Sequence, residues 1–190
     1  MPSGPRKGEL IKRPLLCTLE ELYLGTVKKV KVTRARLAPD GRSSRGDEKI
    51  LEIVIKPGWK AGTTITFEGE GDEAPGVVPA DLAFVIGEKP HERFTRDGAD
   101  LVLPLRLSLA DALCGTAPEV RTLDGRVLSL PMPEIVTPGY VKTVRGEGMP
   151  ISGAPGQRGD LLVRCEVRFP TYIPTDNKDK LRKLLSSSAA

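Results

Sequence analysis

The sequence predicts an all-β protein: two tandem β-sandwich domains, each with a short helix, followed by a C-terminal helix. Three observations carry that reading. Turn formers are abundant, with 20 Gly and 17 Pro in 190 residues, and the apolar runs between them are short. The phrase "TLEELYLGT" (18–26) returns as "SLADALCGT" (108–116). Asp-Gly pairs at 40–41 and 124–125 sit between strand-like runs, a strong hairpin signal.

The elements follow in order. Thr18 is placed to cap a helix, and Glu21 three residues on completes a capping box. Ser108 and Asp111 repeat that spacing. Gly25 and Gly115 fall where a left-handed C-terminal residue is wanted. Each helix is under two turns and needs packing to persist. An alternating run, "TVKKVKVTRARL", leads to the first Asp-Gly, and "TAPEVRTL" leads to the second. "KILEIVIKPGW" then matches "VLSLPMPEIVTPGY", "GEGDEAPG" matches "GEGMPISGAPG", and "DLAFVI" matches "DLLVRCEV". Six matches in one order imply a duplicated β unit, each copy of ordinary domain size. The polar segment "EKPHERFTRDGAD" (88–100) reads as the joint. The expected division is 1–12 as linker or tag remnant, 13–92 and 93–174 as the two sandwiches, and 175–190 as helix and tail.

Little of this looks like an enzyme. His91 is the single histidine and reads as a surface residue of the joint. No GxSxG, HExxH or Walker A pattern occurs. The acids of "GEGDE", Glu70, Asp72 and Glu73, would repel a phosphate, so that glycine pair reads as a turn. Cys17, Cys114 and Cys165 are scattered, with no CxxC, and read as buried thiols of a reducing compartment rather than metal ligands. No metal and no cofactor is expected. No apolar run approaches about 18 residues, so no membrane-spanning helix is expected. The N-terminus lacks the apolar core of a secretory signal. Net charge is only +4 and aromatics are 4%, which argues against nucleic acid.

Two segments suggest binding. In "VKKVKVTRAR", Lys28, Val30, Val32 and Arg34 share one face, and Val27, Lys29, Lys31 and Thr33 the other. Neither face is cleanly apolar, so the strand belongs at or near an edge. Lysines there either guard the edge against aggregation or rim a shallow groove for an extended peptide. In the tail, Leu181, Leu184 and Leu185 form a stripe at i, i+3, i+4 on a helix starting near Thr175 or Asp176. That stripe can fold back onto its own domain or meet a second copy across a two-fold axis. Burying three leucines contributes roughly 5–8 kcal/mol gross per helix, before ordering entropy.

"LEELYLGTVKKVKVTR", "IKPGWKAGTTITFEGEGDE", "PADLAFVIGEKPHERFTRDGADL", "LADALCGT", "TLDGR", "GEGMP" and "RGDLLVRCEVRFP" together resemble the C-terminal substrate-binding region of the DnaJ (heat-shock protein 40) co-chaperones. The likeness spans about 13–185. It is similar to class B, because the cysteine-rich zinc-finger repeats of class A are missing. The resemblance implies a V-shaped homodimer joined by the C-terminal helix, here through Leu181, Leu184 and Leu185. It implies a first domain that binds unfolded client polypeptide in a groove, on Leu15, Val30, Val32 and Phe84. It implies that the acidic C-terminal tail of heat-shock protein 70 meets Lys28, Lys29 and Lys31. Val30 and Val32 are smaller than the residues often found at those positions in relatives. The J domain with its His-Pro-Asp and the Gly/Phe linker are absent, so the chain reads as a fragment that binds without activating. A cytoplasmic location is expected. "PRKG" ahead of this region resembles a ciliary radial-spoke branch, which makes a structural adaptor of the axoneme the alternative.

Overall fold

The computed structural model describes residues 6–188. The N-terminal half holds β1 (Ile11–Cys17), α1 (Leu19–Leu24), β2 (Thr26–Leu37), β3 (Ser44–Ile55), β4 (Thr64–Phe67) and β5 (Leu82–Glu88). Strands β1, β5 and β4 form one sheet in that order, with β1 and β5 parallel. β2 and β3 form a long antiparallel ribbon that packs its inner face on this sheet. The C-terminal half holds β6 (Thr95–Asp97), β7 (Asp100–Ser108), α2 (Leu109–Cys114), β8 (Glu119–Arg121), β9 (Val127–Ser129), β10 (Val141–Val144) and β11 (Leu161–Arg168). Its sheet runs β10-β11-β7-β6, and β8 pairs with β9. The parallel pair β7–β11 repeats β1–β5, and β10 repeats β4. The duplication read from the sequence is therefore a duplication of topology. Among the described residues the fold is all-β apart from three helices, the last being α3 (Thr175–Ser188).

Both short helices form where their caps place them. Thr18 accepts the Glu21 N–H at 3.2 Å, and Glu21 reaches back to the Thr18 N–H at 2.8 Å. Ser108 accepts from Asp111 N–H at 3.0 Å, without the return bond. The glycine ends differ from the left-handed helical cap expected. Gly25 lies at φ 78°, ψ 154° and Gly115 at φ 88°, ψ 151°, so each turns straight into an extended segment. That region is open almost solely to glycine. A Cβ on Gly25 would also stand 2.9 Å from Pro57 Cδ.

The two hairpins depart from twins. β2 and β3 pair over their full length, from Thr26 with Ile55 to Leu37 with Ser44. Asp40 closes their loop by accepting the backbone N–H groups of Arg42 and Ser43 and the Ser43 hydroxyl, and these bonds hold its pKa down at about 2. The β8–β9 ribbon has only three residues a side. Pro131 and Pro133 follow β9, where a ladder donor would be needed.

The halves share one core, and the C-terminal half adds a smaller cluster of Leu107, Ala112, Met132, Val136 and Cys165. One buried cluster runs from Leu15, Val32 and Phe84 through Phe94 to Leu101, Leu130 and Val163. The joint is itself built in. β6 lies inside it and pairs with β7. Arg96, its side chain 3% exposed, donates to the carbonyls of Gly58, Trp59 and Gly98 and to Glu88. His91 is not the loose surface residue expected. Its Nδ1 accepts the N–H groups of Arg93 and Phe94, each at 3.0 Å, so Nε2 carries the proton and donates to Glu20 of α1 at 2.9 Å. Arg158, ahead of β11, donates to the Tyr23 hydroxyl at 2.5 Å and lies over its ring. Gly58 sits so close to Pro150 that a Cβ would be 2.5 Å from the Pro150 carbonyl oxygen.

Two further expectations change. The segment assigned as linker to residue 12 joins the fold before that point. Gly8 N–H donates to Val78, Lys7 pairs with Asp81 at 2.6 Å, and β1 begins at Ile11. Residues 1–5 lie outside the described residues. Cys17 and Cys165 are buried as expected, and burial pushes both thiols up. Cys114, at the end of α2, is exposed.

Replacing Gly25 with Ala is expected to lower stability by about 1–3 kcal/mol, the cost of holding an L-residue in that region. Urea denaturation checks this, and a loss under about 0.5 kcal/mol, the scale of an ordinary surface change, would remove the turn's special status.

Candidate functional site

The alternating pattern of β2 decides which of its residues meet solvent. Lys28, Val30, Val32 and Arg34 face the sheet, while Val27, Lys29, Lys31 and Thr33 face out. This corrects the groove floor read from the sequence. Leu15 is 9% exposed, Val32 2% and Phe84 1%, and Val30 is partly buried against the same cluster. Leu15 lies on β1 two positions from Arg13, the partner of Phe84 on β5, and both face inward toward the ribbon. The four residues are brought together, but as the packed interior of the sandwich rather than as an open cleft. The exposed apolar side chains of the ribbon are Val27 and Val54, which face each other across it, and Ile50 opposite Lys31.

The three lysines also separate. Lys28 turns inward. Its Nζ donates to the Leu16 carbonyl of β1 at 2.8 Å and sits 2.9 Å from Glu21 of α1. Burial pushes the Glu21 carboxyl up, but the Lys28 ammonium and the Thr18 N–H outweigh it and hold the group below its ordinary value. Lys28 therefore ties β2, β1 and α1 into one unit. Lys29 and Lys31 are 68% and 61% exposed and lie beside Glu52 and Glu48 at 3.3 and 2.7 Å. Exposed pairs of this kind contribute about 0–1 kcal/mol, so either lysine can exchange its partner at little cost.

The feature that sequence reading located only as "near an edge" is the backbone of β2 itself. β3 takes one side of the strand. On the other side, Ala35 N–H donates to Asp72 and the Ala35 carbonyl accepts from Glu73 N–H, both at 2.8 Å. Leu37 N–H donates to Glu73 at 2.9 Å. Backbone groups alternate along an antiparallel strand, so Val27, Lys29, Lys31 and Thr33 point theirs the same way. Among the described residues, none of these four has a backbone partner on that side. The result is an unpaired ladder, flanked by two exposed cations and by the exposed Val27 of the strand itself. Such an edge can take an extended chain by strand addition, with main-chain bonds supplying affinity.

The C-terminal leucines stay outside any core. No residue of α3 is buried; Leu184 is 65% exposed, Leu185 51% and Leu181 38%. Leu181 borders an apolar cavity of 640 Å³ formed with Leu107, Leu109, Leu113, Phe169 and Ile173. Phe169 and Tyr172 beside it are also exposed. Among the described residues no cluster of His, Cys, Asp and Glu is arranged to hold a metal, and no helix is long and apolar enough to cross a membrane.

Comparison with known proteins is consistent with this architecture. A family model described as the DnaJ C terminal domain matches residues 11–170. The chain is 48% identical over 174 residues to DnaJ homolog subfamily B member 5 of Homo sapiens, covering 92% of the chain and 50% of the relative. It is 44% identical to human DnaJ homolog subfamily B member 13, over 92% of the chain and 55% of that protein. Human DnaJ homolog subfamily A member 2 is also 44% identical, but over 73% of the chain and 35% of its own length. The chain thus spans about half the length of the B-subfamily relatives it matches.

Replacing Lys28 with Met is expected to cost about 1–2 kcal/mol, because its charged bonds to Leu16 and Glu21 are partly shielded. The same change at Lys31 should stay within about 0.5 kcal/mol. Glu21 is held below its ordinary value, so the Lys28 contribution is present above that value and lost as pH falls through the lowered one. Urea titrations at neutral and acid pH read both; equal losses at the two lysines would show that Lys28 has no structural role.

Proposed function

The chain belongs to the DnaJ C-terminal domain family and stands with its class B members, and from that membership we propose that it binds extended polypeptide along the outer edge of β2 and acts as a homodimer joined through α3. The observation that carries the reading is the unpaired backbone of Val27, Lys29, Lys31 and Thr33 beside two exchangeable lysines. An unfolded client supplies strand-forming main chain and an apolar side chain beside the exposed Val27. The acidic tail of heat-shock protein 70 supplies main chain and carboxylates for Lys29 and Lys31. Lys28 positions the strand rather than the guest. Affinity on such an edge is modest, since few side-chain pockets discriminate among sequences. No catalytic step enters this reading.

For the dimer, the support is the wholly exposed α3 and the apolar cavity beside Leu181, which a second copy's leucine stripe is able to fill. The same patch on both chains then meets itself across a two-fold axis.

Reversing both Lys29 and Lys31 to Glu is expected to abolish binding of an acidic tail peptide, and wild-type binding should weaken as salt rises. Fluorescence anisotropy at two salt concentrations measures both, and binding indifferent to charge and salt would exclude the edge as the tail's site. A panel of denatured clients separates chaperone from adaptor. Broad, weak protection supports client binding, whereas one fixed partner set taken up at fixed stoichiometry, with no protection, supports an assembly role. Ending the chain after Pro174 is expected to give monomers by analytical ultracentrifugation; a persistent dimer would take α3 out of the account.

A further inference from the structure

The loop that follows β4 already does to β2 what a guest would do. From Gly69 to Glu73 it runs along the far end of the outer edge. Asp72 and Glu73 take the backbone of Ala35 and Leu37, as above, and the loop's acids take the strand's cations. Glu70 pairs with Arg34 and, at 2.5 Å, with Lys49. Glu73 pairs with Arg36 at 2.7 Å, and Arg36 also donates to the Gly69 carbonyl at 3.1 Å. The Arg34 and Arg36 side chains are only 11% and 17% exposed. Bonds from Lys49 hold the Glu70 carboxyl below its ordinary value, and bonds from the Leu37 N–H do the same for Glu73. The loop is thus an acidic turn of this chain set against the edge of β2, held there by one main-chain bond and by its carboxylates.

We infer that this loop is a stop. It ends the docking edge at Thr33, limits a guest to the register of Val27 through Thr33, and leaves Lys29 and Lys31 as the two cations that read acidic side chains. Arg34 and Arg36, which lie on the same strand and have the same sign, are withdrawn from recognition, Arg34 by Glu70 together with Asp47 of β3 and Arg36 by Glu73. Asp72 and Glu73 are then specificity-determining residues that never touch the guest's acids. This inference rests on the reading of β2 as a docking strand, and it adds that the site has a set length.

Two acetylated, amidated peptides of alternating Glu and Val, seven and eleven residues long, test it. Seven residues span the open register, and eleven overrun it. Wild-type protein is expected to bind the two within about twofold, because the longer peptide finds no further backbone to pair with. The Asp72→Ala, Glu73→Ala double variant should bind the longer peptide at least about fivefold more tightly than the shorter. Amide exchange by NMR reads the same edge residue by residue. In the free wild type, the amides of Ala35 and Leu37 should be slow and those of Lys29, Lys31 and Thr33 fast; peptide should slow only the latter three. A wild type that prefers the longer peptide about fivefold, or a folded variant that does not, overturns the stop. So does fast exchange at Ala35 and Leu37 in the free wild type, a measurement that needs no variant. If neither peptide slows any β2 amide, the docking edge itself is wrong, and the stop goes with it.

Discussion

The core shared by the two halves is the constraint that the rest of the structure depends on. Small β units have little margin. Here the margin comes from continuity: Phe94 of the joint lies in the same buried cluster as Phe84 on one side and Leu101 on the other. Arg96 and His91 then satisfy the backbone of the joint from within. With Tyr23 under Arg158, helix α1 is held from both halves. Because α1 also holds Lys28 through Glu21, the base of the β2 strand is referred to the whole molecule and not to one sandwich.

That support explains how β2 can be left half paired. A long strand with an unpaired side is an aggregation hazard, and lysines on it are a common safeguard. Lys29 and Lys31 fit that role and the docking role equally, since a charge that deters a neutral strand attracts an acidic one. The two readings offered by the sequence are therefore compatible. The exposed pairs with Glu52 and Glu48 keep the lysines in place without committing them.

Much of the fold could be read from the residues because it rests on local rules. The Thr18 and Ser108 caps, the Asp-Gly turns and the two-residue alternation each act within a few positions, and the duplication checked one copy against the other. The site was less legible. Alternation correctly split the faces of β2, but nothing local says which face looks inward. Lys28 sits on the buried side only because Glu21 and the Leu16 carbonyl wait for it there. Leu15, Val32 and Phe84 look like a groove floor in one dimension and are interior in three. The role of "GEGDE" could not be read either: its bonds to Ala35 and Leu37 join residues more than thirty positions apart. A hint existed in hindsight, since three acids facing a strand of two arginines have complementary charge.

The inequality of the two ribbons has one more implication. The first copy pairs twelve residues a side and the second three, so only one unit keeps a long open strand. On the docking reading proposed above, each polypeptide is then monovalent toward an extended guest. A firm hold on a long, featureless chain must come from tethering several such weak grips, where the spacing between them sets the effective concentration. On that reading, the repeat within the chain leaves the valency at one, and association between copies would raise it.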